Sequence, residues 1–358
     1  MNITVIGAGV VGATYAWQLA EAGHDIQVVA RSRRRAALER GLEISCVDQR
    51  WRKTLRASTF RPATIPALNL DTPPDLVLVC VQRQHLRALL PTLAALPEPS
   101  TILFMHQQWN DSTAFAPELM PKRCLLGYPA VGGGHDRAGI FCWLMPEAMQ
   151  IGALDGRHSP RIGPVAMALR SASLRIDLRT PMQPLLAARA GVRVALAGGA
   201  LKAGSIYNLA RCPRILAEVV LAVQESLNIY AVYDPTVWRL PFTQAYTYPL
   251  EQTVRLLQRT LKRPTVRCAL GGCLMHTWNE LRDLAAEICA TGRHHGVASR
   301  SLNELCNCLN LLPAVDRFVQ GQPENNSIPR PLCAQECPRS CLDSTALNLE
   351  TSNLDPCD

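Results

Sequence analysis

The sequence predicts an α/β protein: an N-terminal doubly wound, Rossmann-type parallel sheet followed by an all-helical C-terminal domain. Three observations predict it. Short apolar strands alternate with helices through the first half of the chain. A glycine-rich turn joins the first strand to the first helix. From 183 to 312 the apolar residues recur only at helical spacing.

The elements follow in order. Asn2–Ile6 is a short β-branched run and reads as a strand. Residues 13–22 have helical spacing, with Tyr15, Leu19 and Ala22 on one side, and Gly23 suits the helix end. DIQVVA, 25–30, is the second strand, which completes a β-α-β unit of about 30 residues. Ser32 is the expected cap of a helix over 33–40 that stops at Gly41. DLVLVCV at 75–81 and TILFM at 101–105 are apolar without alternation, as strands buried on both faces are. Between them, 84–96 reads as a helix broken by Pro91. Residues 124–127 and 149–152 read as later strands. The texture changes near 177–181. Beyond it, 188–209, 213–227, 251–261 and Trp278–His294 read as helices. The expected domains are a nucleotide-binding domain over 1–178, a helical substrate and dimerisation domain over 179–312, and an irregular, cysteine-containing tail over 313–358.

Composition narrows the function. The chain has 358 residues and a net charge of +8, from 37 basic and 29 acidic side chains. Only Lys53, Lys122, Lys202 and Lys262 are lysines; the other basic residues are arginines, which suit two-pronged contacts to phosphate and carboxylate. Aromatic residues are 5% of the chain and do not interleave a basic patch, which argues against a nucleic-acid partner. No run of 18 apolar residues predicts a membrane span, and the MNITVIGAGVVG opening lacks a basic signal region, so the expected location is cytoplasmic. In that compartment the 14 cysteines are expected as buried or free thiols. Cys333, Cys337 and Cys341 lack the close pairs of common zinc sites, so no metal is expected.

Gly7-Ala8-Gly9-Val10-Val11-Gly12 follows a strand and opens a helix, the context that a dinucleotide fingerprint requires. Gly7 permits the tight turn, Gly9 lets a pyrophosphate approach the backbone, and Gly12 lets the helix pack on the strand. The helix N-terminus offers free N–H groups to the phosphates. A carboxylate at the end of the second strand would bind ribose hydroxyls. That position is Arg31, with Arg33, Arg34 and Arg35 behind it, and a guanidinium pairs with a 2′-phosphate. The expected cofactor is therefore NADP(H).

With DLVLVCVQ, ILFMHQQW, the glycine-rich 130–134 and the strand ending MQIG, the chain resembles the ketopantoate reductase (2-dehydropantoate 2-reductase) family over about residues 1–312. The resemblance implies reduction of a 2-keto acid by NADPH in a cleft between a Rossmann domain and a helical domain. It places Gln82 and Gln107, followed by Gln108, beside the nicotinamide, where the family has lysine and Asn-Gly. It places Arg193 at the catalytic lysine, with Ala197 and Leu201 at two asparagines. Glu280 matches the family's glutamate, and Cys268 stands at its substrate-binding serine. The chain is thus divergent at most of the usual catalytic positions. Arginine stays charged and is a poor proton donor, so a substrate other than ketopantoate is expected. Lys202 is the fallback acid. Nine residues at about 3.6 per turn put it out of phase with Arg193.

Other candidates come from the residues alone. His106 ends the ILFM strand at the sheet edge where open α/β sheets take ligands, and is a candidate substrate contact. His135-Asp136 follows three glycines in an expected loop at the cleft. His276 lies one helical turn before Glu280 and could share its face. The expected partners are a small carbonyl substrate and a second copy of the chain in a homodimer. Two alternatives accompany the reductase reading. One is a catalytically silent NADP-binding relative. The other is an opine-dehydrogenase-like enzyme that reduces an imine.

Overall fold

Val77, Val79, Ile102 and Phe104 are all shut from solvent, because the strands that carry them are covered on both faces. This is why their sequence shows no alternation. The computed structural model describes residues 1–51, 54–109, 119, 121–135, 139–154, 156–263, 266–267, 270–271 and 277–310. Its strands are β1 (Asn2–Ile6), β2 (Asp25–Val29), β3 (Leu42–Asp48), β4 (Thr54–Phe60), β5 (Ala63–Ile65), β6 (Leu76–Val79), β7 (Thr101–Phe104), β8 (Cys124–Tyr128), β9 (Val131–His135), β10 (Gly139–Leu144), β11 (Met149–Ala153) and β12 (Ile176–Leu178).

An eight-stranded sheet runs β5-β2-β1-β6-β7-β8-β11-β12. It is parallel from β5 to β8, which bears out the Rossmann-type expectation. At the far edge β11 runs antiparallel to β8, and β12 parallel to β11, so the sheet is mixed there.

A second sheet, β4-β3-β10-β9, was not expected. Its signal is the period-2 pattern of LEISCVD in β3, where Leu42, Ile44, Cys46 and Asp48 are buried and alternate with more exposed neighbours. The expected loop at His135 is instead the end of β9, where His135 pairs with Ile140. A buried network fastens this sheet to the first helix. Arg50 donates to Asp48, to the Gln18 side chain at 2.8 Å and to the Ala172 carbonyl at 2.9 Å. Burial would raise the Asp48 carboxyl, but Arg50 outweighs it and holds the group below the usual carboxylate range.

The helices are α1 (Val10–Glu21), α2 (Ser32–Arg40), α3 (Leu90–Ala94), α4 (Ile162–Ser171), α5 (Gln183–Lys202), α6 (Ile206–Leu209), α7 (Pro213–Ala231), α8 (Leu250–Lys262), α9 (Trp278–His294) and α10 (Arg300–Asn310). Three differ from expectation. The cap position of α2 is Arg31 rather than Ser32. Pro91 opens α3 instead of breaking a longer helix, since the first turn needs no proline N–H. The stretch expected over 188–209 divides at Gly204, whose φ of +80° leaves the helix, and α6 then starts on a Ser205 side-chain cap.

Among the described residues every element after Leu178 is helical. α5 is the central helix of this half, with Val194, Ala197, Leu216, Val219, Leu284, Ile288 and Leu305 packed in one core. α5 is long and apolar enough to cross a membrane, but 78% of that stretch is buried by the surrounding elements. The sheet half and the helical half share contacts. Trp109, beyond the end of β7, is 2% exposed inside the helical core and donates through Nε1 to Thr291 Oγ1 at 3.1 Å. The tail cysteines, Cys268, Cys273, His276 and Asp136 lie outside the described residues.

Candidate active site

The glycine turn has the geometry a nucleotide needs. Gly7 has φ +102°, and a Cβ there would lie 2.9 Å from the Cys80 carbonyl oxygen. A Cβ on Gly12 would fall 1.9 Å from the Gly7 carbonyl oxygen. Gly9 differs. A Cβ there would meet nothing within 4 Å, so its missing side chain serves no internal packing and leaves open space in front of the helix. Gly9 caps α1, whose first turn carries no acidic residue. The amides of that turn, from Val10 to Gly12, point toward this space as helix N-termini do, while Ala8 is buried beside them. These residues fit a dinucleotide pyrophosphate.

Arg31 stands just beyond β2, exposed and in extended backbone conformation. Its side chain forms no ion pair or hydrogen bond with any described residue. His85, after β6, is held below its usual pKa by partial burial and then by the charge of Arg31, so the two face a common space. Arg35 pairs instead with Glu39 at 3.7 Å. Of these two arginines, Arg31 is the one whose side chain is not paired with a described residue.

Beyond β6 and β7 the chain turns toward the helical half. Gln82 opens a short 3-10 turn and accepts from Gln84 at 2.7 Å. Arg83, which the sequence reading passed over, reaches α9 and forms a two-pronged pair with Glu287, Nη2 to Oε1 at 3.1 Å. Gln107 is 6% exposed, and its Oε1 is buried with no partner among the described residues. That is an unusual state for a buried carbonyl oxygen and leaves it able to accept from a bound carboxamide.

α9 presents Glu280, Glu287 and Thr291 to the sheet at spacings of seven and four, which keep one helix face. Glu280 is 5% exposed. Arg193 of α5 stands 3.9 Å from its Oε2 and donates to Thr277 Oγ1 at 3.0 Å. Burial raises the Glu280 carboxyl above the usual range. The charge of Arg193, the backbone of Arg83, the charge of Arg83 and the backbone of Gln107 oppose the rise without cancelling it. The structure therefore brings Arg193, Glu280, Gln107 and Arg83 together at the carboxyl edge of the parallel sheet. A buried carboxyl with a raised pKa and a guanidinium beside it can serve as proton donor to a carbonyl oxygen and orient it.

His106 is buried beside this group, with Gln108 Nε2 2.9 Å from its Nε2. Burial, and then the charge of Arg83, push its pKa down to about 3. It is a neutral imidazole at working pH, so Gln108 donates and Nε2 accepts. A histidine depressed in the folded state gives stability that is present above its unfolded pKa and lost as pH falls toward the folded value. His106→Gln should remove this dependence. Between pH 7 and 4.5, urea unfolding of the wild type should lose about 2 kcal/mol more stability than that of the variant. Equal losses would overturn the assignment.

Lys202 is corrected. It sits at the C-terminal end of α5, 2.5 Å from Glu218, and is engaged there rather than at the Arg193–Glu280 group. Ala197 and Leu201, at the family's asparagine positions, pack in the helical core. His135 closes β9 in the second sheet and is not brought to this group. A surface hollow of about 400 Å³ lined by Tyr207, Arg211, Gln258, Lys262 and Arg267 includes none of the residues above.

Residues 3–156 match the family described as ketopantoate reductase PanE/ApbA. A D-amino acid dehydrogenase of Agrobacterium fabrum (strain C58 / ATCC 33970) is 61% identical over 31 residues, which are 9% of this chain and 7% of that protein. Solved structures share the fold at low identity. The 2-dehydropantoate 2-reductase of Geobacter metallireducens GS-15 superposes with a TM-score of 0.67 at 16% identity, over 87% of this chain and 99% of that one. The Methylococcus capsulatus 2-dehydropantoate 2-reductase gives 0.62 at 19%, over 90% and 99%. A D-mandelate dehydrogenase solved with NADH and anilino(oxo)acetate gives 0.69 at 12%, over 87% and 97%.

Proposed function

We propose that this chain, whose residues 3–156 match the ketopantoate reductase family, is an NADP(H)-dependent reductase that converts a 2-keto acid or related carbonyl compound to the alcohol. That match supports the coarser statement, a nicotinamide-dependent oxidoreductase. The observation that supports the finer one is the approach of Arg193 to a buried Glu280 whose carboxyl is raised above its usual range, next to the unpartnered Gln107 carbonyl oxygen. In this reading residues 1–178 hold the nucleotide. Residues 179–312 cover the substrate and supply the contact for a homodimer.

NADPH, when bound, would supply hydride to the carbonyl carbon. The amides opening α1 and the bare Gly9 would hold its pyrophosphate, Arg31 its 2′-phosphate, and Gln82 and Gln107 its nicotinamide. Arg193 fixes the carbonyl oxygen and favours negative charge on it. Glu280 gives that oxygen its proton and is reprotonated from solvent, so the product is the neutral alcohol. Cys268 and His106 complete the substrate contacts in this reading.

The cofactor assignment is tested by fluorescence titration of NADPH and NADH into wild type and Arg31→Ala. Loss of charge-assisted contacts to a phosphate should weaken NADPH about 10- to 100-fold and leave NADH within about twofold. Equal effects on both nucleotides would remove Arg31 from the site. Turnover is tested by NADPH oxidation against a panel of 2-keto acids.

A second reading keeps the nucleotide without hydride transfer. It is favoured by one observation, that the residue paired with Glu280 is a permanently charged arginine and the nearby lysine, Lys202, is tied to Glu218. It expects tight NADPH binding with no keto-acid-dependent oxidation. Oxidation that requires an amino acid as well as a keto acid would instead point to imine reduction.

A further inference from the structure

Three arginines gather where the sheet meets the helical half, and two already have a carboxyl group beside them: Arg83 has Glu287, and Arg193 has Glu280. The third is Arg189. It lies on α5 one turn before Arg193, so the two side chains leave the same face, with about 5–6 Å between their Cβ atoms. Its guanidinium carbon stands 4.0 Å from the ring centroid of Phe242 and 4.9 Å from that of Tyr128. Tyr128 is the last residue of β8, at the sheet edge where open α/β folds take ligands. The Arg189 guanidinium makes no ion pair or hydrogen bond with any described residue. Its Nε is closed off from solvent and also lacks a partner.

A half-buried guanidinium with no anion is costly unless a ligand supplies one. Two ring faces hold it in place, and stacking consumes the faces of the guanidinium while leaving its edge. That edge offers the paired N–H groups that fit a carboxylate with two hydrogen bonds. Arg189 is also the one of the three with no carboxylate beside it among the described residues, so the group offers a single unengaged guanidinium edge.

We propose that Arg189, gripped between Tyr128 and Phe242, binds the carboxylate of the substrate, and that the site takes a 2-keto acid with a single carboxylate in preference to a dicarboxylate. The assignment rests on the keto-acid reductase reading. It divides the work on α5, with Arg189 on the carboxylate and Arg193, one turn later, on the carbonyl oxygen. The carboxylate and the carbonyl of a 2-keto acid sit on adjacent carbons, which suits anchors one helical turn apart.

The experiment uses the full chain with bound NADP⁺, so that no turnover takes place, and titrates 2-oxobutanoate by calorimetry. Wild type, Arg189→Gln and Arg189→Lys are compared, with methyl 2-oxobutanoate as the uncharged control and 2-oxoglutarate as the dicarboxylate. Arg189→Gln should weaken 2-oxobutanoate about 30-fold and Arg189→Lys by less, with the ester and NADPH unchanged. Where turnover is seen, KM should rise by the same factor and kcat stay within about threefold. Wild type should prefer 2-oxobutanoate to 2-oxoglutarate about tenfold. Unchanged 2-oxobutanoate binding in Arg189→Gln, or an equal loss for acid and ester, overturns the proposal. A wild type that favours the dicarboxylate overturns the single carboxylate anchor. Binding of the acid that depends on Arg189, without oxidation of NADPH, refutes the reductase reading and leaves the carboxylate site standing. Turnover with a KM indifferent to Arg189 does the reverse.

Discussion

Gly9→Ala should leave the fold standing and remove nucleotide binding. The methyl group would enter space with no protein atom within 4 Å, and the Gly9 φ of −76° suits any residue. The cost to stability is that of a poorer helix cap, about 1 kcal/mol or less. The same methyl group occupies the approach of a pyrophosphate to the α1 amides. NADPH affinity should fall about 100-fold through the loss of charge-assisted contacts. Gly12→Ala should behave differently. Its Cβ would collide with the Gly7 carbonyl oxygen at 1.9 Å, so the loop must shift and the protein should lose about 1–3 kcal/mol of stability along with the nucleotide. Thermal unfolding and NADPH titration of both variants check the contrast. A Gly9→Ala protein that binds NADPH as the wild type does would remove the nucleotide from this turn.

Glu280→Gln should have two effects of opposite sign. If Glu280 gives the proton, the substitution should lower kcat about 10²- to 10⁴-fold with 2-keto acid substrates. It should also stabilise the protein at alkaline pH. A carboxyl whose folded pKa is raised supports the fold while protonated and loses that support as pH rises through the folded value. Glutamine keeps the neutral form at every pH. The gap between variant and wild type in chemical denaturation should therefore widen in the variant's favour between pH 4 and pH 8. The wild-type rate should decline over the same rise, as the donor loses its proton, and the residual rate of the variant should not. A wild-type rate that increases through that range would assign the proton to another group. Arg193→Lys separates orientation from proton supply. If an ammonium can take over as donor, activity should return to Glu280→Gln when the two substitutions are combined.

Much of the nucleotide half was legible because its signals are local. The glycine turn and the two-sided apolar strands each follow from a few adjacent residues. Arg193 and Glu280 were legible only through family resemblance, since their 3.9 Å approach joins α5 to α9 across many residues. Two features had a usable local signal that was passed over. LEISCVD alternates as a half-buried strand does, and it marks the second sheet. Glu280, Glu287 and Thr291 share one face of a helix, and that face is the one turned to the sheet. Arg83 and Arg189 had none. An arginine beside a glutamine, or in an alanine-rich helix, carries no mark of its partner until Glu287, Tyr128 and Phe242 are brought to it.

Trp109 gives the two halves a mechanical linkage. Its ring is rooted among Tyr230 and Thr291 of the helical core, whereas Gln107 and Gln108, next to it in the chain, border the sheet edge. A swing of the helices away from the sheet would pull on this short tether and drag the Gln107 carbonyl with it. If Gln107 flanks the nicotinamide as proposed, opening of the halves and the hold on the cofactor would be geared together, rather than left to a hinge that moves one without the other.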